Sequence, residues 1–136
     1  MSADLLSEIE KDQLRERFIK YTTLAFQMLP KIKSPHILDV GCGSGIPTIA
    51  LAKLSDGKII GIDTDQRLLD RLGKRAEELG LSNRVFTKRC SLFDIDFPDE
   101  TFDIIWAEGT INIIGFEKSL KQWRFLLKTK GFLSCS

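Results

Sequence analysis

The stretch Ile37–Ala52 constrains this chain more than any other part of it. Ile37, Leu38 and Val40 surround a single carboxylate, Asp39, and glycines follow at 41, 43 and 45. An apolar run begins at once and continues to Ala52. The pattern predicts a buried strand, a tight glycine turn, and a helix from about Ile46 to Leu54 whose first amides point into the turn. Pro47 fits the first turn of that helix, where its missing N–H costs nothing. Glycine lacks a Cβ and tolerates positive φ, so this turn lets a ligand approach bare backbone. The helix start adds unpaired N–H donors and partial positive charge, which suit an anionic group.

Spacing narrows the choice of ligand. A dinucleotide fingerprint, G-x-G-x-x-G, places its third glycine where the helix packs on the strand. Counted from Gly41, that position holds Ile46, and the glycine comes one residue early, at Gly45. A nicotinamide dehydrogenase is therefore a poor fit. Lys58–Asp63 is a second apolar run, ending in a carboxylate 22 residues beyond Gly41. An acid at the end of the second strand, about 20 residues after the turn, suits a ribose diol. The competing role, a helix cap, falls better to Asp65, which stands just before Gln66-Arg-Leu-Leu.

Further strands are expected at Val85–Lys88 and Phe102–Trp106, the second led by turn residues Pro98, Asp99 and Glu100. Helices are expected over 66–79, with Leu68, Leu69, Leu72, Ala76 and Leu79 inward and Gly80 as terminator, and over 116–128. Residues 7–29 predict a leading helix: Ser7 and Glu10 fit a capping box, and Leu14, Phe18, Tyr21, Ala25 and Met28 form a stripe. Strands that are apolar throughout and alternate with helices imply a parallel sheet covered on both faces. At 136 residues the chain makes one domain, and a net charge of +1 without a basic patch argues against a nucleic-acid partner. No apolar run approaches a membrane span, and Asp4, Glu8 and Glu10 interrupt any signal-peptide pattern. Three cysteines without ligand spacing fit a reducing cytoplasm and no metal site, with Cys42 a small filler in the turn. The acids Asp94, Asp96, Asp99 and Glu100 read as a solvated turn.

The motif Asp39-x-Gly41-x-Gly43-x-Gly45 resembles the first motif of class I S-adenosylmethionine-dependent methyltransferases. Phe97-Pro-Asp-Glu-Thr-Phe-Asp-Ile-Ile-Trp106 resembles that family's Pro-Asp-x-Ser-Phe-Asp phrase, and Glu108–Phe116 resembles the loop that follows in a subset of members. Leu126–Leu133 resembles its Leu-Lys-x-Gly-Gly turn, with Lys130 in place of one glycine. The likeness runs from about residue 35 to the C-terminus. It implies an α/β, Rossmann-like, doubly wound and mainly parallel sheet of about five strands with helices on both faces, behind the helix at 7–29. It implies one S-adenosylmethionine-binding domain over 1–136, transferring a methyl group to a small-molecule acceptor. Cofactor-binding positions are then Asp39, Gly41, Cys42, Gly43, Gly45, Asp63, Thr64, Ser91 and Leu92. Gly41, Gly43 and Gly45 pass under the methionine part, Asp39 favours its cationic groups, and Asp63 holds the ribose. Glu108 is the candidate catalytic base and Asn112 a candidate for orienting substrate.

Two departures accompany the likeness. The family's usual acid at the adenine amino group is Ser91 here, which predicts weaker adenine recognition. The chain also stops at Cys135-Ser136, before the family's usual last two strands. That ending predicts an exposed fifth-strand edge, open to pairing in a homodimer. It also motivates an alternative reading, a truncated or cofactor-binding module without turnover.

Overall fold

The computed structural model describes residues 3–17, 19–108 and 116–135. Five strands form one sheet: β1 (His36–Val40), β2 (Lys58–Asp63), β3 (Val85–Arg89), β4 (Phe102–Ala107) and β5 (Leu127–Cys135). Their order across the sheet is β3-β2-β1-β4-β5, and every pairing is parallel. Helices α1 (Ala3–Arg17) and α2 (Ile19–Gln27) precede β1. Helix α3 (Ile46–Leu54) joins β1 to β2, and α4 (Gln66–Glu78) joins β2 to β3. Helix α5 (Phe116–Trp123) and a 3-10 turn (Arg124–Leu126) lead into β5. This is the expected α/β, Rossmann-like parallel architecture.

Side chains alternate across the pleat, so each central strand feeds two cores. On one face Ile37, Ile59, Ile104 and Trp106 meet Ile49, Leu51 and Ala52 of α3 and Leu69, Leu72 and Ala76 of α4. On the other, Leu38, Val40, Ile62, Ile105 and Ala107 meet Trp123 and Leu126, with Leu92, Ile95 and Phe97 packed alongside. Burial on both faces is why these strands carry unbroken apolar runs. Asp39 is the buried exception in β1, only 2% exposed, while His36 at the strand's start is exposed.

Helix ends follow local chemistry. Asp65 caps α4, accepting a hydrogen bond from the Arg67 amide at 3.0 Å. The Arg67 guanidinium also donates to this carboxylate and holds it below the usual carboxylate range. The cap therefore keeps its charge into mild acid, and its contribution fades only as pH falls through that lowered value. Gly80, at φ 70°, ends α4, and the Leu81 amide returns to the Ala76 carbonyl at 2.8 Å.

The amino-terminal region is helical as expected over 7–29, but it differs in where the helix starts and in which face it buries. Helix is found over Ala3–Arg17 and Ile19–Gln27, with Phe18 outside the described residues, and α1 already runs upstream of Ser7, so the Ser7–Glu10 capping box does not form. The inward face is also different. Thr22, Ala25, Phe26 and Leu29 turn toward the core, while Leu14, Tyr21 and Met28 are exposed, Met28 at 84%. Both stripes keep helical spacing, and Phe26 against Trp106 decides between them, with ring centroids 6.2 Å apart. Leu79 is likewise exposed, because it lies beyond the last turn of α4. Helix 116–128 ends early, at Trp123, since Leu127 pairs with Phe102 as the first residue of β5. The register then shifts so that Phe132 faces Ile104, leaving residues 128–131 as an irregularity opposite Asp103.

Gly45 sits at φ 90°, and a Cβ there would lie 2.1 Å from Leu72 Cδ1 and 2.8 Å from Leu72 Cγ. Leu72 is fully buried and has no room to yield. Gly80 has a similar φ of 70° but open space around it. Gly80→Ala is expected to cost about 1–2 kcal/mol through backbone conformation alone. Gly45→Ala adds overpacking and is expected to cost roughly 2–4 kcal/mol. Urea denaturation of the two variants checks this order, and equal losses would contradict it.

Candidate active site

The glycine turn is built by three short hydrogen bonds. The Cys42 amide continues the β1–β2 ladder to the Ile62 carbonyl at 3.0 Å. The Gly43 amide donates to Asp63 Oδ2 at 3.0 Å, and the Gly45 amide to the Cys42 carbonyl at 3.1 Å. Gly41, Gly43 and Gly45 all have positive φ, at 67°, 57° and 90°. Gly45 is the residue preceding α3, whose first backbone bond runs from Ile49 to the Gly45 carbonyl at 2.8 Å. The turn thus lies between the carboxyl end of β1 and a helix start, the usual anion-receptive arrangement.

Asp63 has two local donors. Its Oδ2 takes the Gly43 amide and its Oδ1 takes the Asp65 amide at 2.9 Å. A carboxylate offers about four acceptor positions, so capacity remains for a vicinal diol. Asp39 lies beneath the turn, and Thr48 Oγ1 of α3 donates to its Oδ2 at 2.6 Å. Among the described residues the buried polar side chains are Thr22, Asp39, Ser44 and Thr48. All four stand at this end of the sheet or in contact with residues there. Burying a polar group without compensation is costly, so their concentration here marks the region as something besides core.

Past β3, the Cys90 amide donates to the Asp63 carbonyl at 3.0 Å, which brings Ser91 beside the end of β2. Ser91 Oγ accepts from the Phe93 amide at 3.1 Å, and the Asp94 amide closes the turn on the Ser91 carbonyl. Leu92 packs on the second core, and its carbonyl accepts from Trp123 Nε1 at 3.4 Å. The Thr64 carbonyl accepts from Arg89 Nε at 3.1 Å. Past β4, Glu108 Oε1 accepts from Thr22 Oγ1 at 2.5 Å and from Trp106 Nε1 at 2.9 Å. Asn112 lies outside the described residues. His36 is at the opposite end of β1, exposed, with its amide donating to Asp103 Oδ2 at 2.8 Å. Among the described residues no group of three or more His, Cys, Asp or Glu could hold a metal ion.

Asp39, the glycine turn, Asp63, Ser91 and Glu108 therefore converge on the carboxyl edge of the sheet, where β1 lies between β2 and β4. Open α/β sheets bind ligands in this crevice, at the point where strand order reverses. Thr48, Thr22 and Trp106 were not singled out from the sequence. Thr48 did leave a trace, as the one polar side chain in Ile46–Ala52. The Thr22–Glu108 bond spans 86 residues and left none.

A family model described as methyltransferase domain matches residues 37–131. The chain belongs to the methyltransferase domain family. It is 31% identical over 98 residues to the 27-O-demethylrifamycin SV methyltransferase of Amycolatopsis mediterranei, covering 72% of this chain and 36% of that one. The [4+2]-cyclase SpnF superposes with a TM-score of 0.77 at 27% identity, over 86% of this chain and 43% of that one. Geranyl diphosphate C-methyltransferase of Streptomyces coelicolor, solved with Mg2+, geranyl diphosphate and S-adenosyl-L-homocysteine, superposes with a TM-score of 0.78 at 17% identity. That match covers 85% of this chain and 45% of that one and shows a shared fold. The chain spans less than half the length of each of these three proteins.

The Asp39–Thr48 pair generates a test. Val replaces Thr with nearly the same shape and removes the hydroxyl donor from a carboxylate that is 2% exposed. Thr48→Val is expected to destabilise the domain by about 1–3 kcal/mol, and Thr48→Ser to retain most of that. Thermal and urea unfolding of both variants measure it, and an undiminished Thr48→Val would show the pair to be dispensable.

Proposed function

We propose that this chain is an S-adenosylmethionine-dependent methyltransferase, one domain over residues 1–136, acting on a small-molecule acceptor. The observation that carries the reading is the Gly43–Asp63 contact, which sets a bare-backbone turn and a diol-accepting carboxylate side by side at the switch point. The donor set fits the cofactor. Asp63 suits the ribose hydroxyls, the turn of Gly41, Cys42, Gly43 and Gly45 admits the methionine part, and Asp39 beneath it favours positive charge. Ser91 faces the adenine side, with Thr64 and Leu92 flanking. Membership of the methyltransferase domain family supports methyl transfer over a module without turnover.

When bound, the cofactor would supply an electrophilic methyl group on a sulfonium, with the thioether as leaving group. The chain's own work is to bind, align and exclude water, and alignment of this kind supplies ~7–11 kcal/mol. Where the acceptor arrives protonated, Glu108 is the acid placed to take the proton, and such a base adds roughly 10²–10⁴-fold. Asn112 would orient the acceptor. A small-molecule acceptor has a parallel in the C-methyltransferase of similar fold above, which was solved with geranyl diphosphate. β5 pairs with β4 on one side, and its other edge offers a homodimer contact. Cysteines at 42, 90 and 135 without ligand spacing support a cytoplasmic setting. Among the described residues no helix is long and apolar enough to cross a membrane.

Isothermal titration with S-adenosylmethionine, S-adenosylhomocysteine and NADH tests the cofactor. Saturable binding of the two sulfur ligands without NADH is expected, and NADH binding alone would overturn the reading. Asp63→Ala is expected to weaken both sulfur ligands roughly ten- to hundred-fold, the loss of charge-assisted bonds worth ~1.5–3 kcal/mol. Because Asp63 also braces the Gly43 amide, the variant is expected to unfold more easily as well. A folded Asp63→Ala protein that binds like the parent would remove the ribose assignment.

A further inference from the structure

Along the carboxyl edge the site residues follow strand order: Ser91 past β3, Asp63 ending β2, the glycine turn past β1, and Glu108 past β4. Neighbouring strands lie about 4.8 Å apart, so Asp63 and Glu108 flank the turn from opposite sides. The pairing of Val40 with Ala107 brings Glu108, the next residue, beside Gly41. On the cofactor reading above, the ribose diol is at Asp63. The sulfur joins the 5′ carbon of that ribose to the methionine part, which the same reading puts at the glycine turn, so the sulfur would fall on the β1 side of Asp63, toward the strand end that carries Glu108.

Glu108 is held firmly on one side. Both its donors, Thr22 Oγ1 and Trp106 Nε1, bond the same oxygen, Oε1. Its Oε2 has no hydrogen-bond partner among the described residues. Neither donor can drift. Thr22 and Trp106 are each 2% exposed, and Phe26 of α2 packs on the Trp106 ring. Two buried donors from two elements thus fix one carboxylate oxygen, while the other takes no donor from the described residues. A carboxylate held this way attracts positive charge, and more strongly as water is excluded.

We infer that Thr22 and Trp106 are positioning residues that hold Glu108 to read the positive charge on the cofactor's sulfur, so that the site prefers the methyl-bearing cation over the neutral thioether product. The inference rests on the cofactor reading and adds a selectivity to it. It makes α2 part of the site: the amino-terminal helix reaches the reacting end through Thr22.

Three ligands separate the possibilities: S-adenosylmethionine, charged at sulfur; sinefungin, with an amine at the same place; and S-adenosylhomocysteine, neutral there. All three share the α-ammonium. Titration calorimetry of the full chain is expected to show Glu108→Gln weakening the first two about tenfold and the third less than twofold. Thr22→Val is expected to shift the same ratio in the same direction by a smaller factor, and Thr22→Ser to restore it. A merely structural Thr22 would leave that ratio unmoved. Equal loss for all three ligands in Glu108→Gln, or no loss, overturns the inference. Failure of the parent chain to bind any of the three would instead overturn the cofactor reading, so the two failures are distinguishable.

Discussion

The hydrogen bond from the Gly43 amide to Asp63 Oδ2 joins the two segments on which the candidate site depends. A glycine turn on its own is conformationally loose, since glycine gives up more backbone freedom on folding than any other residue. Here the turn is clamped at successive points: Cys42 to the Ile62 carbonyl, Gly43 to the Asp63 carboxylate, Gly45 against Leu72. Asp63 in turn takes the Asp65 amide, and Asp65 caps α4. One carboxylate therefore couples the β1 turn, the end of β2 and the start of α4. A ligand that bonds Asp63 meets a group whose position is already set by its neighbours, which lowers the ordering cost of binding.

The site is also where the interior stops being apolar. Asp39–Thr48 ties the end of β1 to α3, and Thr22–Glu108 ties α2 to the end of β4. These pairs bring costly groups into the core and compensate them with short bonds. The charged link between Glu8 and both Arg67 and Arg71 works differently. It joins α1 to the first turns of α4, and Arg67 is largely exposed, so the link adds little stability.

What the sequence made legible was local. The strand at Ile37–Val40, the turn, the helix behind it and the Asp65 cap each follow from residues within a few positions of one another. The chemistry of the turn could be read because glycine at 41, 43 and 45 has few other reasons to recur at that interval. Choices between surfaces were not legible. Leu14, Tyr21 and Met28 make as regular a stripe as Thr22, Phe26 and Leu29, and only the presence of Trp106 on the sheet selects the second. Leu126 and Leu127 continue a helical spacing, yet Leu127 is taken by Phe102 on β4. Glu108 was visible as an acid after a strand, but its two donors come from elsewhere in the fold.

The two ends of the sheet divide structural and chemical work, and one family-like motif falls on the structural side. Asp103, the aspartate of the Phe-Asp phrase, lies at the amino end of β4. It accepts from the His36 amide at 2.8 Å and pairs with Lys128 at 3.3 Å. Those contacts fasten β4 to β1 and to the irregular start of β5, far from the turn. Glu100, at φ 53°, does similar work: its amide meets the Phe125 carbonyl at 2.9 Å, and its carboxylate accepts from Thr129 Oγ1 at 3.2 Å. With the amino end fastened in this way, β1 and β4 keep a fixed register. Asp39 then stays opposite Trp106, and Gly41 beside Glu108. The geometry of the crevice is thus set partly by residues at the other end of the strands, which touch nothing in it.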